Sequence, residues 1–219
     1  MKKQLLRGAL AALLGTATVL ATLPAAAHQA GDFIVRAGAA GVFPQGDGGV
    51  VPAAAPGWVE ADDTWSLGLT FTYMVSNNLG VGLLAAWPFE HDIEGAGTLA
   101  GVGNVAETKQ LPPTLTLQYY FDTGSKLHPY VGAGINYTNF FSTDTEGALA
   151  GASLDLDDSW GLALEAGIDY DLKNDWLVST QVWYTDIDTD ATITGGALAG
   201  SFDVEIDPWI VMFSVGKKF

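Results

Sequence analysis

Along most of this chain apolar and polar side chains alternate with a period of two, the mark of strands whose two faces meet different surroundings. Residues 64–76 put Trp65, Leu67, Leu69, Phe71, Tyr73 and Val75 on one face and Ser66, Gly68, Thr70, Thr72, Met74 and Ser76 on the other. Asn77-Asn78 supplies a turn, because Asn tolerates left-handed backbone. The chain then returns through 79–89 with Leu79, Val81, Leu83, Ala85, Trp87 and Phe89 on the apolar face. The same alternation predicts strands at 32–43, 111–121, 129–141 and 159–170, a seventh beginning at Trp176, and a last at 203–219. That makes eight strands.

Connections at 76–79, 122–128 and 171–175 are short, whereas 44–63, 90–108, 142–158 and 191–202 are read as long loops. Short and long alternate strictly, so the long ones gather at one end. This predicts an all-β protein: an eight-stranded antiparallel transmembrane β-barrel, built as an up-and-down meander. A soluble barrel of the same size would alternate too, with its apolar face inward. The aromatic residues separate the two. Pairing the last two strands sets Tyr184 against Trp209, Val182 against Val211, Thr180 against Phe213, Val178 against Val215 and Trp176 against Lys217. The bracketed band is nine residues long, near the roughly 9–11 that a tilted strand needs to cross a bilayer. Trp65, Trp87, Phe89 and Trp160 are expected in an upper aromatic girdle, and Tyr73, Tyr119, Tyr170 and Phe219 in a lower one.

The two ends agree with this address. Lys2, Lys3 and Arg7 precede an apolar run that closes at Ala25-Ala26-Ala27, which reads as a cleaved secretory signal over residues 1–27. The barrel domain is then 28–219. No later stretch is long and apolar enough for a transmembrane helix. The final strand ends on Phe219, with Phe213 two outward positions before Lys217, as an assembly signal would require. Without the signal, six basic residues face 25 acidic ones, a formal charge of −19. Nucleic acid is excluded as a partner, since no basic stripe could replace counterions. There is no cysteine, hence no disulfide framework or thiol chemistry.

The ordered matches now identify a resemblance to the outer-membrane protein W (OmpW) family, covering essentially all of residues 28–219. They are His28-Gln-Ala-Gly-Asp-Phe-Ile-Val-Arg-Ala-Gly38, Leu69-Thr-Phe-Thr-Tyr-Met74, Leu111-Pro-Pro-Thr-Leu115, Tyr130-Val-Gly-Ala-Gly-Ile-Asn-Tyr137, Asp158-Ser-Trp-Gly161, Asp175-Trp-Leu-Val178, Val182-Trp-Tyr184, Asp186-Ile-Asp-Thr189 and Asp207-Pro-Trp209. The resemblance implies a Gram-negative outer membrane and a narrow, partly hydrophobic lumen. It also implies passive uptake of small apolar molecules, with alkane-uptake proteins among the relatives and small amino acids proposed for some members. Lys217 departs from the aromatic that the terminal signature normally carries. The barrel assembly machinery, membrane lipid and lipopolysaccharide are the expected partners.

An eight-stranded barrel encloses room for side chains or one small ligand. Among the inward positions Leu84, Trp183, Ile210 and Met212 are large and apolar, and are read as a constriction that passes apolar solute and stops hydrated ions. Ordinary interior packing is the alternative. Arg36 and Glu165, with Asp169 in support, are expected to pair as a floor, because a charge in a narrow lumen needs a partner. Solute stopped there would need a side exit. Pro88, Pro112 and Pro113 lie on neighbouring strands and interrupt the ladder, so a lateral opening is expected there; the alternative is that Pro88 and Pro112 only mark strand ends in a frayed rim. Asp186, Asp188, Asp190, Asp203, Glu205 and Asp207 are expected to share one outward face at the rim. That face is either a solvated acidic edge or one bridged by divalent cations from lipopolysaccharide. The loop at 44–63 is a candidate lid.

No cofactor motif is found: Gly132-Ala-Gly134 is strand glycine. His28, His91 and His128 assemble no nucleophile with a base, so the chain is read as a non-enzymatic channel. A channel for small polar solutes or amino acids, and a structural or adhesive barrel, remain the alternatives.

Overall fold

The fold is set by where the surroundings of the chain change along its strands. The computed structural model describes residues 28–54 and 57–219; the expected signal segment, 1–27, lies outside them. In chain order the strands are β1 (Phe33–Phe43), β2 (Gly48–Val50), β3 (Trp58–Ala61), β4 (Thr64–Met74), β5 (Leu79–Ala86), β6 (Phe89–Ala96), β7 (Asn104–Leu111), β8 (Thr114–Tyr120), β9 (Leu127–Thr145), β10 (Ser153–Leu156), β11 (Ser159–Asp171), β12 (Trp176–Thr185), β13 (Asp188–Thr194), β14 (Gly200–Glu205) and β15 (Trp209–Lys218).

Eight of them close a ring. β1 pairs with β4, β4 with β5, β5 with β8, β8 with β9, β9 with β11, β11 with β12, β12 with β15, and β15 returns to β1, all antiparallel. Closure removes every edge, and so lets a sheet cross hydrocarbon with its backbone satisfied. The register foreseen for the last pair holds at each of its five positions, from Tyr184–Trp209 to Trp176–Lys217. Lys217 sits with its ammonium 5.6 Å from the ring centres of both Trp176 and Phe219. A cation between two aromatic faces at the membrane edge accounts for its departure from the terminal pattern.

The segments expected as long loops are largely strand. β2 and β3, β6 and β7, the upper end of β9 with β10, and β13 with β14 form a second sheet above the barrel, in the order β10-β13-β14-β2-β3-β6-β7-β9. These strands alternate as well, but with the polarity turned round. Phe89, His91 and Ile93 point inward while Glu90, Asp92 and Glu94 are exposed; on β14 Phe202 and Val204 are half-buried while Asp203 and Glu205 are exposed. Below the boundary the outer face meets lipid and above it water, so the outward residues change from Leu, Val and Trp to Asp and Glu. A rule that sought apolar outward positions therefore missed them. The stretch 44–63, read as a long loop and candidate lid, contributes β2 and β3 to this wall.

One member of the upper girdle is also corrected. Trp65, Trp87 and Trp160 are exposed at 54, 73 and 71%, but Phe89 is 2% exposed and packs inside. The inside-outside alternation slips by one residue across Trp87-Pro88, where proline ends one ladder before the next begins.

Candidate functional site: three storeys of the lumen

At the periplasmic end the lumen is filled by a polar network. Arg36 on β1 donates to Asp169 on β11 through Nε (3.1 Å) and Nη2, to Thr72 Oγ1 (3.0 Å) and to Tyr120 Oη (3.2 Å). Arg36 and Asp169 are both fully buried. The expected Arg36–Glu165 pair is thus not formed. Glu165 instead accepts from Thr116 Oγ1 (2.6 Å) and Gln118 Nε2 (2.9 Å). The two carboxylates lie on the same inward face of β11, four residues apart, and only Asp169 is level with the arginine. They remain linked, since Tyr120 Oη donates to Gln118 Oε1 (3.2 Å). Tyr120 stacks on Tyr130 at 4.5 Å, and Gln181 Nε2 donates to Tyr130 Oη at 2.7 Å. His28, whose ring lies 4.7 Å from Tyr120 and 4.8 Å from His128, closes the periplasmic side. No place in this network was read from sequence for Tyr120, Tyr130 or His28; inward parity on β8, carried one step past Gln118, reaches Tyr120, whose register partner on β9 is Tyr130.

Above this floor Leu84, Trp183, Ile210 and Met212 come together as expected, joined by Phe89, Ala40 and Val42 in one buried apolar cluster. The cluster is close-packed. A Cβ on Gly68 would lie 2.8 Å from Met212 Sδ and 2.9 Å from Ala40 Cβ.

Above the cluster, inside the second sheet, is a cavity of about 320 Å³. Ile93, Leu154, Ile193, Phe202, Val204 and Ile206 give it apolar walls, and His91, Thr108, Gln110 and Thr189 are its buried polar members. An engineered apolar cavity of about 150 Å³ holds benzene, so this one is large enough for a medium-length hydrocarbon chain.

The prolines sit beside the cluster. The β5–β8 ladder ends at Leu84–Thr114, and the β6–β7 ladder starts at Phe89–Gln110. Between them 85–88 and 111–113 do not pair across the wall. Their carbonyls are satisfied otherwise: Ser66 Oγ donates to Trp87 O (2.9 Å), Thr114 Oγ1 (3.1 Å) and Asn136 Nδ2 (3.3 Å) donate to Pro112 O, and Tyr137 N donates to Pro113 O (3.0 Å). At membrane depth unpaired backbone is costly, and here the neighbouring strands β4, β8 and β9 remove the cost.

At the rim Asp188 faces Glu205 and Asp190 faces Asp203, as expected. Carboxylate oxygens of Asp186, Asp188 and Asp207 converge to within 4.8 Å of one another, which is the spacing a hard cation would use. Asp207 is held by Tyr184 Oη (3.2 Å) and by the Ile187 N–H (3.1 Å), with a left-handed backbone, φ 40°.

A closed eight-stranded ring with lipid-facing apolar residues and aromatic girdles defines an outer-membrane barrel, of the channel type found in Gram-negative bacteria. The OmpW family model matches residues 29–219, and the chain belongs to that family. It is 49% identical to Outer membrane protein W of Escherichia coli, covering 92% of this chain and 95% of that protein. It is 34% identical to Outer membrane protein AlkL of Ectopseudomonas oleovorans, over 78% of this chain and 72% of that one. The crystal structure of OprG from Pseudomonas aeruginosa superposes with a TM-score of 0.79 at 44% identity, covering 88% of this chain and 97% of that one.

Proposed function

We propose that this chain is a passive channel for small apolar molecules, which enter from the outside and leave sideways into the bilayer. The cavity in the upper sheet is the entry chamber. The polar floor of Arg36, Asp169 and Glu165 stops passage straight to the periplasm, and the cluster around Leu84 and Trp183 is the gate between them. Solute turns outward through the wall between β5 and β8, at Pro88, Pro112 and Pro113. The observation that carries this reading is the missing strand pairing between Leu84–Thr114 and Phe89–Gln110. Leu84 and Phe89 belong to the apolar cluster, so the gap opens at the height of the gate. Apolar solutes are also what the family resemblance implied.

Three secondary assignments go with it. The chain is read as a non-enzymatic channel, a reading supported by where two of its histidines point: His91 bonds to the Asp62 carbonyl and to Gln110, and His128 to the Asp171 carboxylate, so neither faces a hydroxyl it could activate. Outward Phe213 and Phe219 serve recognition by the barrel assembly machinery. The rim acids meet lipopolysaccharide through bridging divalent cations.

The test is uptake of a medium-chain hydrocarbon by cells carrying the wild type, Leu84→Arg or Leu84→Ala, at matched surface expression. The wild type is expected to take up hydrocarbon faster than empty cells, the arginine to abolish the gain and the alanine to keep it. Equal uptake by wild type and empty cells would discard the reading and turn attention to small polar solutes or a structural role.

A further inference from the structure

The entry chamber holds a polar device that apolar uptake leaves unused. His91 on β6 and Gln110 on β7 are each 2% exposed and share the inner face of neighbouring strands. His91 Nδ1 lies 2.8 Å from the Asp62 carbonyl oxygen. A carbonyl can only accept, so Nδ1 carries the proton, and the neutral ring is left with a bare lone pair on Nε2. Gln110 Nε2 lies 2.8 Å from that nitrogen and donates to it. The opposite amide orientation would set two acceptors against each other, so the histidine tautomer fixes which way the glutamine points.

That orientation leaves Gln110 Oε1 buried with no hydrogen-bond partner. Other buried hydroxyls in the chamber wall are accounted for. Thr108 Oγ1 is 3.1 Å from Thr143 Oγ1, and Thr189 Oγ1 donates to the Asp157 carbonyl at 2.6 Å. Among the described residues lining the chamber, Gln110 Oε1 is the one buried side-chain acceptor without a donor. A buried acceptor without a donor is costly and needs an explanation. The chamber's apolar walls point to a guest that brings the donor itself.

We infer that the chamber selects apolar molecules ending in a single hydroxyl group, which donates to Gln110 Oε1 while the hydrocarbon body lies against Ile93, Leu154, Ile193 and Phe202. The inference rests on the chamber being the entry site for apolar solute and names the class it prefers. Pure hydrocarbon fits the walls but leaves the acceptor unpaired. An ether of the same size carries oxygen but no O–H, and gains nothing.

The full chain in lipid nanodiscs would be titrated with 1-nonanol, its isomer 1-methoxyoctane, and decane. Binding would be read from amide chemical shifts, with concentrations referred to the lipid phase. The alcohol is expected to bind about fivefold tighter than the ether, the worth of one neutral hydrogen bond. Gln110→Met is expected to bring the alcohol down to the ether while leaving the ether unchanged. Equal affinities of alcohol and ether for the wild type would overturn the hydroxyl assignment alone and leave a water as the acceptor's partner. Failure of all three to bind would remove the chamber as an entry site, and the inference with it. The wild-type comparison of isomers decides the matter whether or not the variant folds.

Discussion

Arg36 and Asp169 meet across the lumen from strands 133 positions apart, and neither is reached by solvent. The guanidinium binds both carboxylate oxygens and uses two further donors on Thr72 and Tyr120. Removing one partner strands the other's charge. Asp169→Asn or Arg36→Leu is therefore expected to lower stability by about 3–5 kcal/mol, while the double variant Arg36→Leu/Asp169→Leu loses much less than the two singles together. Glu165 has no cation bonded to it among the described residues, so Glu165→Gln should cost less than Asp169→Asn. Heat-dependent electrophoretic mobility in detergent would measure all four. Equal losses for the two carboxylates would contradict the pairing described.

The proposed lateral exit makes a separate prediction. Replacing Pro88, Pro112 and Pro113 together by Val gives 85–88 and 111–113 backbone donors that could extend the ladder across the gap. Hydrocarbon uptake is expected to fall at least severalfold with stability kept or raised, since nothing is removed from the apolar cluster. Uptake at the wild-type rate by a well-folded triple variant would place the exit elsewhere.

How far the sequence reaches depends on what alternation encodes. It tells which face a residue takes, so the ring of strands, the inward set from Arg36 to Met212 and the register of β12 on β15 could all be read. Alternation says nothing about height across a barrel. Glu165 and Asp169 occupy one face of β11, and the choice between them as partner of Arg36 needed the stagger of strands. Nor does it survive a proline: the slip at Trp87-Pro88 turned Phe89 from girdle to core. The second sheet was legible in principle, because Glu90, Asp92 and Glu94 alternate with Phe89, His91 and Ile93 as strictly as any barrel strand. It needed the recognition that water replaces lipid outside. Gln110 and His91 could not have been paired from sequence, since their bond depends on the tautomer that the Asp62 carbonyl imposes.

At the rim, partial desolvation raises the Asp188 carboxyl above the usual range, reinforced by the negative charges of Asp207, Asp186, Glu205 and Asp203. A raised carboxyl binds more protons in the fold than in the unfolded chain. Its contribution is therefore unfavourable at neutral pH and is relieved as pH falls through the folded-state value. Asp188→Asn should stabilise the protein at pH 7, with the advantage shrinking on acidification. Millimolar calcium should do for the wild type what the substitution does, and add little to the variant. Thermal unfolding at several pH values, with calcium or chelator, tests both. A variant as calcium-dependent as the wild type would remove Asp188 from any cation site.

His91 carries the opposite sign. Desolvation lowers its pKa, outweighing the bond to the Asp62 carbonyl and the attraction of Asp62, Asp63 and Asp92. The folded ring then stays neutral while the unfolded chain begins to protonate near the ordinary value of about 6.5. Stability from this residue is complete above that value and is lost as pH falls below it toward the folded-state value. Protonation would also place a second N–H against the Gln110 amide, forcing the amide to turn and present its N–H groups where Oε1 had been. Acid is thus expected to cost the chamber its acceptor together with its stability. In a titration followed by ring nitrogen shifts, His91 should be more than half the neutral Nδ1–H tautomer at pH 6.5, where an ordinary histidine is half-protonated. Half-protonation at or above 6.5 would mean that water reaches the ring, and the lone acceptor at Gln110 would lose its basis.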